Sequence, residues 1–166
     1  MLRTILYSVF ASLIIIQFIR PEKNMASGPF QHDIQSKFPM NQTVKAAIER
    51  SCFDCHSNNT RYPWYYNVQP IAWWLQHHVD EGKSELNFNE FANYKTDKMD
   101  HKLEEIAEVI EEEEMPLKSY TLIHKSTKLS IDEKKAIVSW VNESRAQLKN
   151  STIAAGGQSD NHKEGH

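Results

Sequence analysis

Cysteine is scarce in this chain, and clustered positive charge is absent. Only two cysteines occur in 166 residues, both inside one four-residue window, which excludes the many-bridged framework of a small secreted scaffold. Whatever these thiols do, they do together. The net charge is −3 and the basic residues are scattered, so the electrostatic footprint of a nucleic-acid binder is missing. No internal repeat appears, and no run of alternating apolar and polar residues marks a strand between Asn41 and Lys149. These absences leave one small domain, all helical, with a core drawn from about 110 residues.

What the chain does have begins at its N-terminus. Residues 2–19 form an apolar run interrupted only by Arg3, Thr4, two serines and Gln17, and basic residues flank it at Arg3, Arg20 and Lys23. Its length suits either a membrane anchor or a long signal peptide, and the cleavage site decides between them. Phe18, Ile19 and Arg20 are too large for signal peptidase, and the small cluster Ala26-Ser27-Gly28 runs into Pro29. An anchor over residues 1–20 is therefore expected, with a signal segment as the alternative and the rest of the chain outside the cytoplasm.

Residues 21–40 carry more prolines and turn formers than a helix tolerates, with no apolar period, and read as a linker. The domain proper spans residues 41–149. Its first helix starts at Asn41, with Val44, Ala47, Ile48 and Ser51 on one stripe that continues into Cys52 and Cys55. A second begins at Pro70 and places Ile71, Trp74, Leu75, His78 and Val79 on its apolar face, with Gly82 as its stop. Asn87 and Glu90 cap a short helix bearing Phe88 and Phe91. A fourth runs from about residue 100 to 114 with Leu103, Ile106, Ala107 and Ile110 inward, ended by Pro116. Ser130 and Glu133 form a capping box for the last, which carries Ile137, Trp140, Val141 and Leu148. Residues 150–166 hold almost nothing to bury and are expected to be disordered.

Cys52-Phe53-Asp54-Cys55-His56 is the motif that carries chemistry. Two thiols three residues apart can add to the two vinyl groups of one haem, and the next residue then presents an imidazole to the iron. A thioredoxin-like dithiol would need a strand before the motif and a βαβ setting, which is missing. A structural zinc site would need four ligands, and no second cysteine or histidine pair completes one. A simple disulfide would leave His56 unexplained. Haem iron used for electron transfer takes a second axial ligand. Met115, at the close of the fourth helix and just before Pro116, is the candidate, with His78 as the alternative. The run Glu111 to Glu114 reads as a solvated face that could also steer a basic partner. His77 and His101 sit among polar residues, and His162 and His166 lie in the tail.

These stretches together resemble a known family. The chain looks like the bacterial haem-binding domain family of single-haem, cytochrome-c-like proteins with an N-terminal membrane segment. The matching residues are Arg20-Pro21-Glu22-Lys23-Asn24, then Cys52 through Thr60 with Pro63-Trp64-Tyr65, and His78 through Lys83 leading to Leu86-Asn87-Phe88. Further on come Met115 through Tyr120, His124, Leu129-Ser130 and Glu133-Lys134. The family often has Ser and Trp where Asn89 and Phe91 stand, and Gly where Glu113 stands. The resemblance implies about five helices round one covalent haem c held by Cys52, Cys55 and His56, and it draws His78 and His124 into competition with Met115 for the iron. The function expected is one-electron transfer to a redox partner protein, by a carrier rather than an enzyme. The alternative is a haem sensor or peroxidase-like enzyme with an open distal site.

Overall fold

The computed structural model describes residues 1–156, with side chains to residue 153. Among the described residues the regular elements are helical: α1 (Leu2–Ile15), α2 (Gln42–Ser51), α3 (Phe53–His56), α4 (Ile71–Glu85), α5 (Thr96–Glu111), α6 (Lys118–Ile123) and α7 (Ile131–Gly156). Short 3-10 turns join them, and one isolated antiparallel bridge links Met25 to Asn59. The all-helical class thus stands, with six α-helices after α1 among the described residues where about five were expected. The described residues divide into two compact units, one made of Met1–Pro29 with Phe53–Phe88, the other of Phe30–Cys52 with the described residues from Asn89 onward.

In the first unit, α1 buries none of its residues and a 3-10 turn, Ile16–Phe18, continues it. Fourteen residues rise about 21 Å at ~1.5 Å each, against a hydrocarbon layer of about 30 Å. No helix among the described residues is long and apolar enough to cross a membrane, so the spanning helix expected over residues 1–20 is not found. The helix stops because Ile19 leaves helical backbone and Pro21 disfavours it at Arg20. The end of this segment is then fastened to the start of α4. Gln17 and Gln69 exchange hydrogen bonds, Gln17 Nε2 donating to the Gln69 carbonyl at 3.2 Å and the Gln69 N–H donating to Gln17 Oε1 at 3.0 Å. Gln69 Nε2 and Trp73 Nε1 both donate to the Ile19 carbonyl, at 2.8 and 3.0 Å.

The buried face of α4 is Ala72, Gln76 and Val79, displaced from the expected stripe. Ile71 and Trp74 are exposed, and Leu75 and His78 half-buried. The cause is a polar residue drawn inward: the hydroxyls of Tyr62 and Tyr66 each donate to Gln76 Oε1 at 2.9 Å, while Gln76 Nε2 donates to Asp80 at 2.8 Å. With all its polar atoms engaged, a buried glutamine carries little penalty. Gly82 does not end the helix, which continues to Glu85.

The second unit is built on α2, α5 and α7. Asn41 caps α2 by accepting from the Val44 N–H at 2.9 Å, and Val44, Ala47, Ile48 and Ser51 are buried as their spacing requires. Met99, Leu103, Ile106 and Ile110 form the inner face of α5. The capping box opens α7: Ser130 N–H donates to Glu133 at 2.8 Å and Glu133 N–H to Ser130 Oγ at 3.2 Å. Ile137, Trp140, Val141 and Leu148 are buried along it, and Arg145 reaches Asp100 and Glu104 on α5 at 2.8 and 2.9 Å.

Two segments expected to lack structure are folded. Residues 21–40 are packed: Ile34 and Phe38 are fully buried, Asp33 caps a 3-10 turn, and Asn24 is held by several partners described below. The last helix passes residue 149 and runs to Gly156, with Ser151 and Thr152 hydroxyls donating to the Leu148 carbonyl. The rest of the tail, including His162 and His166, lies outside the described residues.

Candidate functional site

The cysteine motif falls at a break between two helices. Cys52 is the C-cap of α2, its N–H donating to the Ile48 carbonyl at 2.9 Å, and its backbone leaves helical geometry at φ −121°. A fresh single turn, α3, then carries Cys55 and His56. The thiols therefore do not share one continuous helix, as the stripe suggested. Neither cysteine is in a disulfide, and both are half-buried. Burial pushes the Cys55 thiol up to about 11, and the Asp54 charge adds to the rise. Dithiol redox catalysts need the opposite shift, so this environment argues against that chemistry.

His56 is aimed by a backbone group. Its Nδ1 lies 3.1 Å from the Leu86 carbonyl oxygen, just beyond α4. A carbonyl only accepts, so Nδ1 carries the proton, and in the neutral imidazole the lone pair is then on Nε2. That tautomer suits ligation of a metal through Nε2, and a backbone carbonyl is the kind of outer partner such ligands keep. Phe88 presents an edge to the imidazole, with ring centres 6.4 Å apart at 80°, and stacks on Phe53 at 5.4 Å.

The loop after His56 is pinned from several sides. Ser57 is buried, and its Oγ bonds within the turn to Asn59. Thr60 Oγ1 donates to the Asp54 carbonyl at 2.8 Å, and Arg61 pairs with the Asp54 carboxylate at 2.9 Å. Asn24 Nδ2 donates to the Ser57 carbonyl and to Thr60 Oγ1, while its Oδ1 accepts from Lys83 Nζ of α4 at 2.6 Å. Asn87 Nδ2 donates to Asn58 Oδ1 at 2.8 Å. From α4, Gly82 lies directly against Cys55.

The other named residues fall as follows. His78 shares the first unit; its Nδ1 is 2.8 Å from the Trp74 carbonyl one turn back, and its ring lies 4.4 Å from the Trp74 ring centre. His77 and His101 sit beside Glu81 and Glu105 of their own helices. Met115 belongs to the second unit and is half-buried. It does not close the fourth helix: α5 ends at Glu111, and three residues intervene because the chain makes a Schellman turn. Glu114 N–H donates to the Val109 carbonyl and Glu113 N–H to that of Ile110, with Glu113 at φ 60°. Glu113 thus stands in left-handed backbone, a conformation that favours glycine. His124 is half-buried beside Tyr120, ring centres 4.8 Å apart, and caps Thr127 through its carbonyl.

Among the described residues no group of three or more His, Cys, Asp or Glu side chains is arranged to hold a bare metal ion. The donors present suit haem instead: two unbridged thiols and an imidazole of the correct tautomer on adjacent turns. Sequence reasoning missed Gly82, read as a helix stop, and the Leu86 carbonyl, which no side-chain motif can reveal.

An all-helical chain with these donors fits the class of haem-binding proteins. Residues 11–143 match the model of the haem-binding domain family, and the chain belongs to that family. No curated protein and no solved structure matches it.

Proposed function

We propose that the chain holds one haem c through Cys52, Cys55 and His56 and transfers single electrons at the outer face of the bacterial inner membrane. Haem binding follows from the family; the observation that supports covalent attachment with histidine ligation is the His56 Nδ1 contact to the Leu86 carbonyl beside the two unbridged cysteines. Cys52 and Cys55 would hold the haem as thioethers, each thiol adding its sulfur and its proton across one vinyl double bond with no net oxidation or reduction. When bound, haem supplies a one-electron iron couple.

His56 would hold the iron through Nε2, with its orientation held by Leu86 and Phe88. Met115 is the proposed sixth ligand, since a thioether opposite histidine favours ferrous iron and raises the potential; His78 is the alternative. The exposed apolar side chains along α1 support association with a bilayer, and bacterial haem c attachment takes place outside the cytoplasm. A redox partner protein is implied.

Purified full-length protein made in a haem-c-competent host tests this reading. Haem that stays with the polypeptide through acid and organic extraction, and a reversible one-electron couple, are expected. Extractable haem with alkylatable thiols would overturn it.

A further inference from the structure

We propose that Gly82 is a positioning residue for His56: its missing Cβ lets α4 come close enough to α3 for the Leu86 carbonyl to reach Nδ1, and that hydrogen bond sets how strongly the imidazole donates to haem iron. The inference rests on the haem c reading above and adds a determinant of its reduction potential.

Gly82 lies inside α4, where glycine lowers stability relative to alanine. Its backbone is not left-handed, Gly28 being the glycine with positive φ, so no conformational need accounts for it. What accounts for it is proximity. A Cβ built on Gly82 would stand 2.9 Å from the Cys55 carbonyl oxygen, 3.0 Å from Cys55 Cβ and 3.3 Å from the Cys55 carbonyl carbon. Two of these three atoms are backbone, so the added methyl cannot be accommodated by a rotamer change. The helices must part.

The consequence passes one turn along α4. Leu86 N–H donates to the Gly82 carbonyl at 3.0 Å, which couples the two residues as one rigid turn, and the Leu86 carbonyl meets His56 at 3.1 Å. That distance is already at the long side of the N–H···O range, which ends near ~3.2 Å, so little slack remains. Lys83, between them, ties the same turn to Asn24. Moving residue 82 away from Cys55 therefore moves the Leu86 carbonyl away from His56. A weaker bond at Nδ1 leaves the imidazole less basic, ferric iron loses more than ferrous, and the midpoint potential rises.

The test uses full-length, haem-loaded protein in three forms: Gly82→Ala; Ser84→Ala as a control on the exposed side of α4; and a backbone ester in place of the Asn87 amide, which makes the Leu86 carbonyl a poorer acceptor without adding bulk. Midpoint potential and the hyperfine-shifted His56 ring resonances of the ferric form are the readouts. Gly82→Ala and the ester should both raise the potential and shift the resonances in the same direction, while Ser84→Ala leaves both at the wild-type values. A folded Gly82→Ala, or the ester form, with wild-type potential and wild-type resonances overturns the proposal. Should Gly82→Ala fail to fold, the ester form alone decides. Wild-type haem removable by extraction would instead strike the haem c reading itself, so the two failures are told apart.

Discussion

Lys134, near the start of α7, is ion-paired with Glu113, a residue held in left-handed backbone at φ 60° after α5. A side chain at that position crowds its own carbonyl, which is why glycine is preferred there. Lys134 and the neighbouring lysines also hold the Glu113 carboxyl below its ordinary range, chiefly through the Lys134 hydrogen bond. Backbone strain and charge pairing thus oppose one another at a single residue. Glu113→Gly should raise the melting temperature by a few degrees because it removes the strain at the expense of an exposed pair. Glu113→Ala keeps the strain and loses the pair, so it should lower the melting temperature. Thermal denaturation of the two variants separates the contributions; the reverse order would refute the account.

Under the proposed haem c attachment, either sulfur alone suffices to hold the group. Cys52→Ala and Cys55→Ala should each keep one thioether bond and retain haem through extraction, and the double variant should lose it. The pyridine haemochrome band distinguishes two, one and no thioether links.

Met115→Ala should abolish the weak far-red sulfur-to-iron band, lower the midpoint potential and admit cyanide or carbon monoxide, with haem still attached. His78→Ala should leave that band intact. If His78→Ala and not Met115→Ala changes the coordination, the iron is ligated by two histidines and the sixth-ligand assignment is wrong.

Asn24 engages Ser57, Thr60, Tyr62 and Lys83 through its side chain and N–H. Replacing it by alanine removes three side-chain hydrogen bonds and should cost about 2–3 kcal/mol at ~1 kcal/mol each. The loop over residues 57–60 should then open first, which limited proteolysis would detect as new cleavage there ahead of any other site.

Arg145 holds the Asp100 carboxyl below its ordinary range, chiefly by hydrogen bonding. A lowered native pKa means that the stabilisation is present above the ordinary carboxyl range and is lost as pH falls through the native value. Asp100→Asn should therefore destabilise the protein by about 1 kcal/mol at neutral pH, a figure at the upper end for a partly exposed pair. The difference from wild type should vanish in acid. Denaturant melts at neutral and acidic pH would show this; an undiminished gap in acid would count against it.

Much of this architecture was legible because certain residues answer to local rules. Asn41, Ser130 and Glu133 cap helices wherever they precede an apolar stripe, and Val44, Ala47, Ile48, Ile137 and Val141 repeat at helical spacing. The cysteine motif is equally local. What escaped depends on contacts distant in sequence. Gln76 reads as a surface residue until Tyr62 and Tyr66 supply its hydrogen bonds, and their pull turns α4 away from the stripe that Ile71 and Trp74 suggest. Residues 21–40 look like a spacer because their apolar members, Ile34 and Phe38, have no period, yet each is buried. Gly82 has the composition of a terminator and the surroundings of a close approach. Glu113 departs from the glycine that the resemblance suggests, but its left-handed backbone lies beyond sequence.

The reciprocal bonds between Gln17 and Gln69, joined by those of Gln69 and Trp73 to the Ile19 carbonyl, bear on how electrons would travel. A loose leash would let a haem carrier swing through a wide arc and sample donors at many heights above a bilayer. Here the apolar segment and the helix that supplies the partner of His56 are fastened like an arm bolted to a bracket, within one unit. Were the exposed apolar side chains of α1 seated on a bilayer, as proposed, that bracket would fix the standing height of the ligand turn, and encounters with a partner would be governed by lateral drift and the partner's own reach.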